Sequence, residues 1–151
     1  TTEARYLQVI YRKTARLFEA GMQIGALLAD QTRAVEDALL EYGKHVGLAF
    51  QLVDDALDYE ADRKELGKNI GDDLAEGKPT LPLIYALQRG SPREQVVIRR
   101  AIEQGGLEEI DTILAAIQNS GALAYTFARA RESRNSRRTA LRAATAVSCR
   151  R

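Results

Sequence analysis

Three aspartates, Asp54, Asp55 and Asp58, lie within five residues of one another near the end of a segment with helical periodicity. Carboxylates this close repel one another, and late in a helix they also oppose the helix macrodipole. We therefore do not expect the cluster to stabilise a fold. Side chains four residues apart on a helix have Cβ atoms about 6 Å apart, a spacing that suits carboxylates sharing a cation. The pattern predicts a cation site, and the alternative is a solvated acidic face.

Lysines and further acids follow in a polar, glycine-punctuated segment over residues 60–78. Lys68 and Lys78 each come directly after a glycine, which allows close backbone approach to a ligand. Lysine binds phosphate as a point charge, and Mg²⁺ usually combines few protein carboxylates with water and substrate phosphates. Acids and lysines together predict a Mg²⁺ and diphosphate site, although either lysine alone would be read as an ordinary exposed one. Asp72 and Asp73 could pair with the lysines or extend the metal site through water.

Lys13 and Thr14 lie upstream in the middle of a predicted helix. The threonine could bond a carbonyl of the preceding turn, or both side chains could reach a phosphate at the centre of a bundle. His45 is the only histidine, and we expect it to have a surface or packing role. Cys149 is the only cysteine, which excludes an intrachain disulfide and a cysteine-based zinc site. The sequence shows no nucleophile–base pair and no glycine-rich phosphate loop.

The chain of 151 residues is long enough for one domain or part of one, and 45% of its residues are hydrophobic. It has no apolar run of about 18 residues, so no integral membrane segment is predicted. It also lacks a signal-peptide pattern, and we expect a cytoplasmic protein. The sequence opens in what reads as the first turn of a helix, so we expect it to begin inside a larger gene product.

Apolar residues recur at three- and four-residue steps along most of the chain, and no β-type alternation occurs. The fold class is therefore predicted as all-α, a helical bundle. A first helix over residues 3–29 carries the stripe Leu7, Ile10, Thr14, Leu17, Gly21, Ile24 and Leu28. A second follows a Thr32 cap through about Leu57, and shorter helices are predicted after Pro79, Ser91, Leu107 and Gly121. The glycine pairs Gly21/Gly25 and Gly43/Gly47 predict close packing of the two long helices.

The last part of the chain differs in composition from the rest. Residues 126–151 contain eight arginines and one glutamate, and after Phe127 the helical periodicity is lost. We divide the chain into residues 1–128 and an atypical arginine-rich tail, 129–151. The tail could be disordered, could bind nucleic acid or an acidic surface, or could lie outside the native reading frame. Because it lacks interleaved aromatic residues, nucleic-acid binding is disfavoured.

Two segments resemble a known family. Residues 50–59 read FQLVDDALDY and residues 67–84 read GKNIGDDLAEGKPTLPLI. Together they resemble the second aspartate-rich region of the trans-isoprenyl diphosphate synthases, most closely the bacterial long-chain, octaprenyl-type enzymes. The pair Lys13-Thr14 matches the Lys-Thr pair of that family, and the resemblance covers roughly residues 4–128.

The resemblance implies an isoprenoid-synthase helical bundle, a homodimer, and Mg²⁺ ions that clamp an allylic prenyl diphosphate. It implies Asp54 as the direct metal ligand, with Asp55 and Asp58 beside it, partly through water. The residues implied to hold the allylic diphosphate or line its pocket are Lys13, Thr14, Phe50, Gln51, Lys68 and Lys78. The implied reaction is ionisation to an allylic cation, attack by isopentenyl diphosphate and loss of a proton.

The chain also departs from the family pattern. The family's first aspartate-rich motif and its basic isopentenyl-binding motif are absent, and both would precede residue 1. The fold is therefore predicted as incomplete, the C-terminal half of the bundle. The resemblance implies a prenyltransferase that elongates a polyprenyl chain. The alternatives are a catalytically inactive helical partner subunit, a truncated remnant of such a synthase, or a nucleic-acid binder.

Overall fold

The computed structural model describes residues 1–60, 71–105 and 107–148, with side chains through Ser136. In these ranges the chain is helical and contains no β-strand, which confirms the all-α prediction. Among the described helices, none is long and apolar enough to cross a membrane. The helices are α1 (Glu3–Ile10), a π-helical turn (Tyr11–Ala15), α2 (Arg16–Leu28), α3 (Arg33–Leu57), α4 (Asp72–Ala75), α5 (Leu81–Arg89), α6 (Pro92–Gln104), α7 (Ile110–Ser120) and α8 (Ala122–Ser148).

The chain divides into two compact units. Unit 1 comprises Thr1–Tyr6 with Leu52–Ala128, and unit 2 comprises Leu7–Gln51 with Arg129–Arg151. The helices α3 and α8 each contribute residues to both units.

In unit 1, α5 packs against α6 and α7, and the short α4 packs against α6. The core of this unit is built from Leu74, Leu83, Ile98, Ile113 and Ile117, all buried. The predicted helix cap at Ser91 is confirmed, since Ser91 and Glu94 form a reciprocal capping box at the start of α6. The helices predicted after Pro79 and Leu107 are present, and they begin at Leu81 (α5) and Ile110 (α7).

In unit 2 the first long predicted helix is interrupted by the π-helical turn Tyr11–Ala15, which the apolar periodicity does not indicate. A π-turn accommodates one extra residue, so it rotates the following helix by about one residue step relative to a continuous α-helix. The buried positions at the end of the turn and along α2 are Ala15, Glu19 and Ala26. The predicted apolar stripe is therefore wrong for α2, where Leu17 is 75% exposed and Leu28 is 84% exposed.

The glycine prediction is confirmed for one pair and wrong for the other. A Cβ added to Gly43 would lie 2.7 Å from the Phe18 carbonyl oxygen, and one on Gly47 would lie 2.5 Å from the Ala15 Cα. Among the described residues, no atom would lie within 4 Å of a Cβ added at Gly21 or at the glycine four residues later. The change of buried face at the π-turn explains this difference, because it turns the glycine pair of α2 away from α3.

The arginine-rich segment continues α8 without a break, and the helical backbone runs through Ser148. Loss of apolar periodicity after Phe127 does not end the helix, because arginine and alanine are both strong helix formers. The division of the chain at residue 128 and the disorder of the tail stay predictions.

We expect Gly47→Ala to lower the free energy of unfolding by about 1–3 kcal/mol, since its methyl group would overlap the backbone of the π-turn. The matched control is Gly21→Ala, which adds a methyl group in open space within a helix and should raise stability by about 0.5–1 kcal/mol. Urea unfolding of both variants checks this. Equal effects of the two substitutions would contradict the packing of α3 described above.

Candidate functional site

The three predicted aspartates lie on the last turn of α3 and just beyond it, but their environments differ. Asp54 is exposed, whereas Asp55 and Asp58 are 4% and 7% exposed. Within the described parts of the chain, the Asp54 side chain makes no hydrogen bond or ion pair. Asp54 is thus the carboxylate most available to a ligand.

Asp55 is held by a tyrosine from the start of the chain. The Tyr6 hydroxyl donates a hydrogen bond of 2.6 Å to Asp55 Oδ2, and both side chains are buried. Burial, and then the neighbouring Asp55 charge, raise the pKa of the Tyr6 phenol, which keeps it a hydrogen-bond donor. The contact of Tyr6 with Asp55 is not predictable from the sequence, because nothing in the local pattern links two residues 49 positions apart.

Asp58 ties the end of α3 to the start of α4. Its backbone carbonyl accepts from the Gly71 N–H at 3.1 Å, and its Oδ2 accepts from the Asp73 N–H at 3.2 Å. A carboxylate at the N-terminus of a helix satisfies an unpaired backbone donor and complements the helix dipole. The expectation that the acidic cluster would not stabilise the fold is therefore wrong for Asp58.

Lys78, predicted to hold a diphosphate, lies in two ion pairs within unit 1. Its Nζ is 2.9 Å from Asp73 Oδ1 and 2.6 Å from Glu76 Oε2. The first of these contacts is the pairing of Asp73 with a lysine that the sequence allowed. Hydrogen bonds to Glu76 and then Asp73 raise the pKa of Lys78, so the ammonium stays charged. Lys68, the other predicted lysine of this loop, lies outside the described residues.

Unit 2 brings together another two of the predicted residues. The Thr14 hydroxyl donates a hydrogen bond of 2.7 Å to Gln51 Oε1. Lys13 and Thr14 both lie in the π-turn, a kind of distortion that occurs frequently at functional sites. Lys13 is exposed on this turn.

Phe50 lies in the same unit and is 56% exposed. Its ring is 5.7 Å from that of Phe18, centroid to centroid, in a tilted arrangement. Phe18 thus supports one face of Phe50, and the remaining surface is accessible.

Among the described residues, no group of three or more histidine, cysteine, aspartate or glutamate side chains is close enough to hold a metal ion. One carboxylate points outward, and its two neighbours are engaged in hydrogen bonds within unit 1.

His45 lies on α3 in unit 2. Burial lowers the pKa of the His45 imidazole, and Glu41 opposes that shift. Within the described residues its buried Nδ1 has no hydrogen-bond partner. These features support the predicted packing role.

The lowered pKa of His45 predicts a pH effect on stability. As the pH falls through about 6.5, the unfolded chain takes up this proton before the folded chain does, so the free energy of unfolding decreases. His45→Gln should lose this part of the decrease. Melting temperatures of both proteins at pH 7.5 and 5.5 measure the difference, and identical decreases would contradict the assignment.

For the pair in unit 2, Thr14→Val should lower the free energy of unfolding by about 1 kcal/mol, because it removes the hydrogen bond to Gln51 and keeps the side-chain shape. Thr14→Ser keeps the hydroxyl and is the matched control. Urea unfolding compares the two. A serine variant as unstable as the valine variant would mean that the methyl group, not the hydrogen bond, matters.

Comparison with known proteins gives a consistent result. The family model described as polyprenyl synthetase matches residues 1–119. The octaprenyl diphosphate synthase of Haemophilus influenzae is 55% identical over 133 residues, which cover 87% of this chain and 40% of that protein. The octaprenyl diphosphate synthase of Escherichia coli is 52% identical over 132 residues, covering 87% of this chain and 41% of that protein.

A solved structure shows the same relationship. The polyprenyl synthase of Caulobacter crescentus, crystallised with calcium and isoprenyl diphosphate, matches with a TM-score of 0.85 and 44% identity over 93% of this chain and 44% of that chain. The chain thus spans about two fifths of the length of the curated relatives it matches. The resemblance read from the aspartate-rich region is confirmed, and the chain belongs to the polyprenyl synthetase family.

Proposed function

We propose that this chain provides the allylic-diphosphate side of a prenyltransferase site, which condenses an allylic prenyl diphosphate with isopentenyl diphosphate to elongate a polyprenyl chain. The observation that carries the proposal is the exposed Asp54 carboxylate, which has no partner among the described residues and lies beside two carboxylates engaged within unit 1. The family supports the reaction class. The calcium and isoprenyl diphosphate in the Caulobacter crescentus enzyme support a divalent cation bound with a prenyl diphosphate.

The donor chemistry fits Mg²⁺. This ion keeps several waters and takes one or two protein carboxylates together with substrate phosphates. Asp54 supplies an exposed carboxylate, and the proposal gives it the direct metal contact. Asp55 and Asp58 act beside it, partly through water, as the resemblance implies. Bound Mg²⁺ would stabilise the negative charge that develops on the leaving diphosphate.

The chain's own cations add to that stabilisation. Lys78 carries a persistent positive charge and is partly exposed, so a diphosphate can compete with Glu76 and Asp73 for its ammonium group. Lys13, Thr14 and Gln51 offer an exposed cation and polar groups in unit 2. Lys68 is assigned to the diphosphate by resemblance alone.

In unit 1, Lys78 and a cation at Asp54 would act on the bond between the allylic carbon and the diphosphate oxygen. Positive charge placed at the departing oxygen lowers the barrier to ionisation, because its attraction to that oxygen is stronger in the transition state than in the ground state. The double bond of isopentenyl diphosphate then attacks the allylic carbon, and loss of a proton restores a double bond. Phe50 offers an aromatic surface for the apolar prenyl group.

The proposal is tested by the melting temperature of the chain with Mg²⁺ alone, pyrophosphate alone, and both. A ligand at 100 times its dissociation constant stabilises by about 2.7 kcal/mol, which corresponds to several degrees for a chain of this length. We expect a shift only when both are present, since each completes the binding site of the other.

Asp54→Asn should abolish the shift and leave the melting temperature of the free protein almost unchanged, because the side chain is exposed. The control Asp111→Asn removes another exposed aspartate of unit 1 and should keep the shift. A full shift in Asp54→Asn would contradict the assignment. No shift in the unsubstituted chain would favour the alternative of a truncated remnant or an inactive partner subunit.

A further inference from the structure

The hydrogen bond between Tyr6 and Asp55 joins the first residues of the chain to the last turn of α3 in unit 1. The 2.6 Å distance is typical of a hydrogen bond from a hydroxyl to an ionised carboxylate, which is stronger than one between neutral groups. Both residues are 4% exposed, so water competes little for either group. Tyr6 therefore fixes the orientation of the Asp55 carboxylate.

Fixing Asp55 also constrains its neighbours. Asp54 precedes it directly, and the next turn is anchored by Asp58, whose Oδ2 accepts the Asp73 N–H. The exposed carboxylate therefore lies directly before one anchored side chain and four residues before another. A metal ligand held in this way loses less conformational freedom when it binds, and groups behind metal ligands commonly set metal affinity.

We propose that Tyr6 is a positioning residue for the metal and diphosphate site, acting through Asp55. This inference rests on the proposed function, in which these aspartates serve Mg²⁺. Tyr6 itself does not touch the ligand. Its role is to keep the Asp55 carboxylate in one rotamer and, through it, to order the turn that presents Asp54.

The chain offers a matched control for a purely structural role. The Tyr125 hydroxyl donates a hydrogen bond of 2.8 Å to Glu3 Oε2. This bond has the same chemistry, lies in the same unit and also ties the start of the chain to a distant residue, but it involves none of the proposed site residues. Tyr6→Phe and Tyr125→Phe each remove one hydroxyl and keep the ring.

The experiment is calorimetric titration of the chain with Mg²⁺ at a fixed concentration of inorganic pyrophosphate, with the melting temperature of each free variant as the measure of folding. We expect Tyr6→Phe to raise the Mg²⁺ dissociation constant by about tenfold or more, which is the usual effect of removing a hydrogen-bond partner of a metal ligand. Tyr125→Phe should change it by less than about twofold. Equal changes in the two variants, or no change in Tyr6→Phe, would overturn the inference.

A double-mutant cycle tests whether Tyr6 acts through Asp55. In an Asp55→Ala background, Tyr6→Phe should change the Mg²⁺ dissociation constant by less than about twofold, because the side chain that Tyr6 orients is absent. An undiminished effect in that background would overturn the inference. If the unsubstituted chain binds no Mg²⁺ with pyrophosphate, the proposed function fails first. Binding that survives Tyr6→Phe unchanged defeats only the role of Tyr6.

Discussion

Buried carboxylates must be hydrogen-bonded, and this requirement organises the end of α3 in unit 1. An isolated buried charge would cost several kcal/mol, so each buried acid needs a donor. Asp55 receives the Tyr6 hydroxyl and Asp58 receives the Asp73 N–H. These hydrogen bonds hold the start of the chain and the start of α4 against the end of α3. The arrangement leaves the Asp54 carboxylate exposed next to two fixed neighbours.

A second constraint acts in unit 2, where the π-turn sets which face of the first long helix is buried. The extra residue places Ala15 against Gly47 of α3, and the close approach leaves no room for a side chain there. The same turn carries Lys13 and Thr14, and the Thr14 hydroxyl bonds Gln51. A distortion that is costly for a helix thus coincides with residues assigned to substrate.

Apart from Asp54, the charged side chains described around the proposed site of unit 1 are engaged with protein partners. Asp73 links the two parts of this network, since its N–H donates to Asp58 and its carboxylate holds Lys78. Glu76 holds the same lysine from the other side. A diphosphate that engages Lys78 must compete with these carboxylates, and Mg²⁺ at Asp54 would help it by adding positive charge. Cation and diphosphate are therefore expected to bind cooperatively.

Much of the architecture follows from sequence pattern. The three- and four-residue apolar steps predicted the all-α class, Thr32 and Ser91 predicted helix starts, and each makes its capping bond. The spacing of acids and lysines led to the family. These features are local, since a cap, a heptad-like stripe or a motif is defined by residues within a few turns of one another.

The sequence by itself determined the helical class, the principal caps and the set of side chains that we propose for a metal and a diphosphate. Tertiary structure decided which of those side chains is exposed and which is engaged. Tyr6 meets Asp55 across 49 positions, and the buried face of α2 depends on a single π-turn. Periodicity cannot reveal either, because one is a contact between distant segments and the other arises from packing against a neighbouring helix.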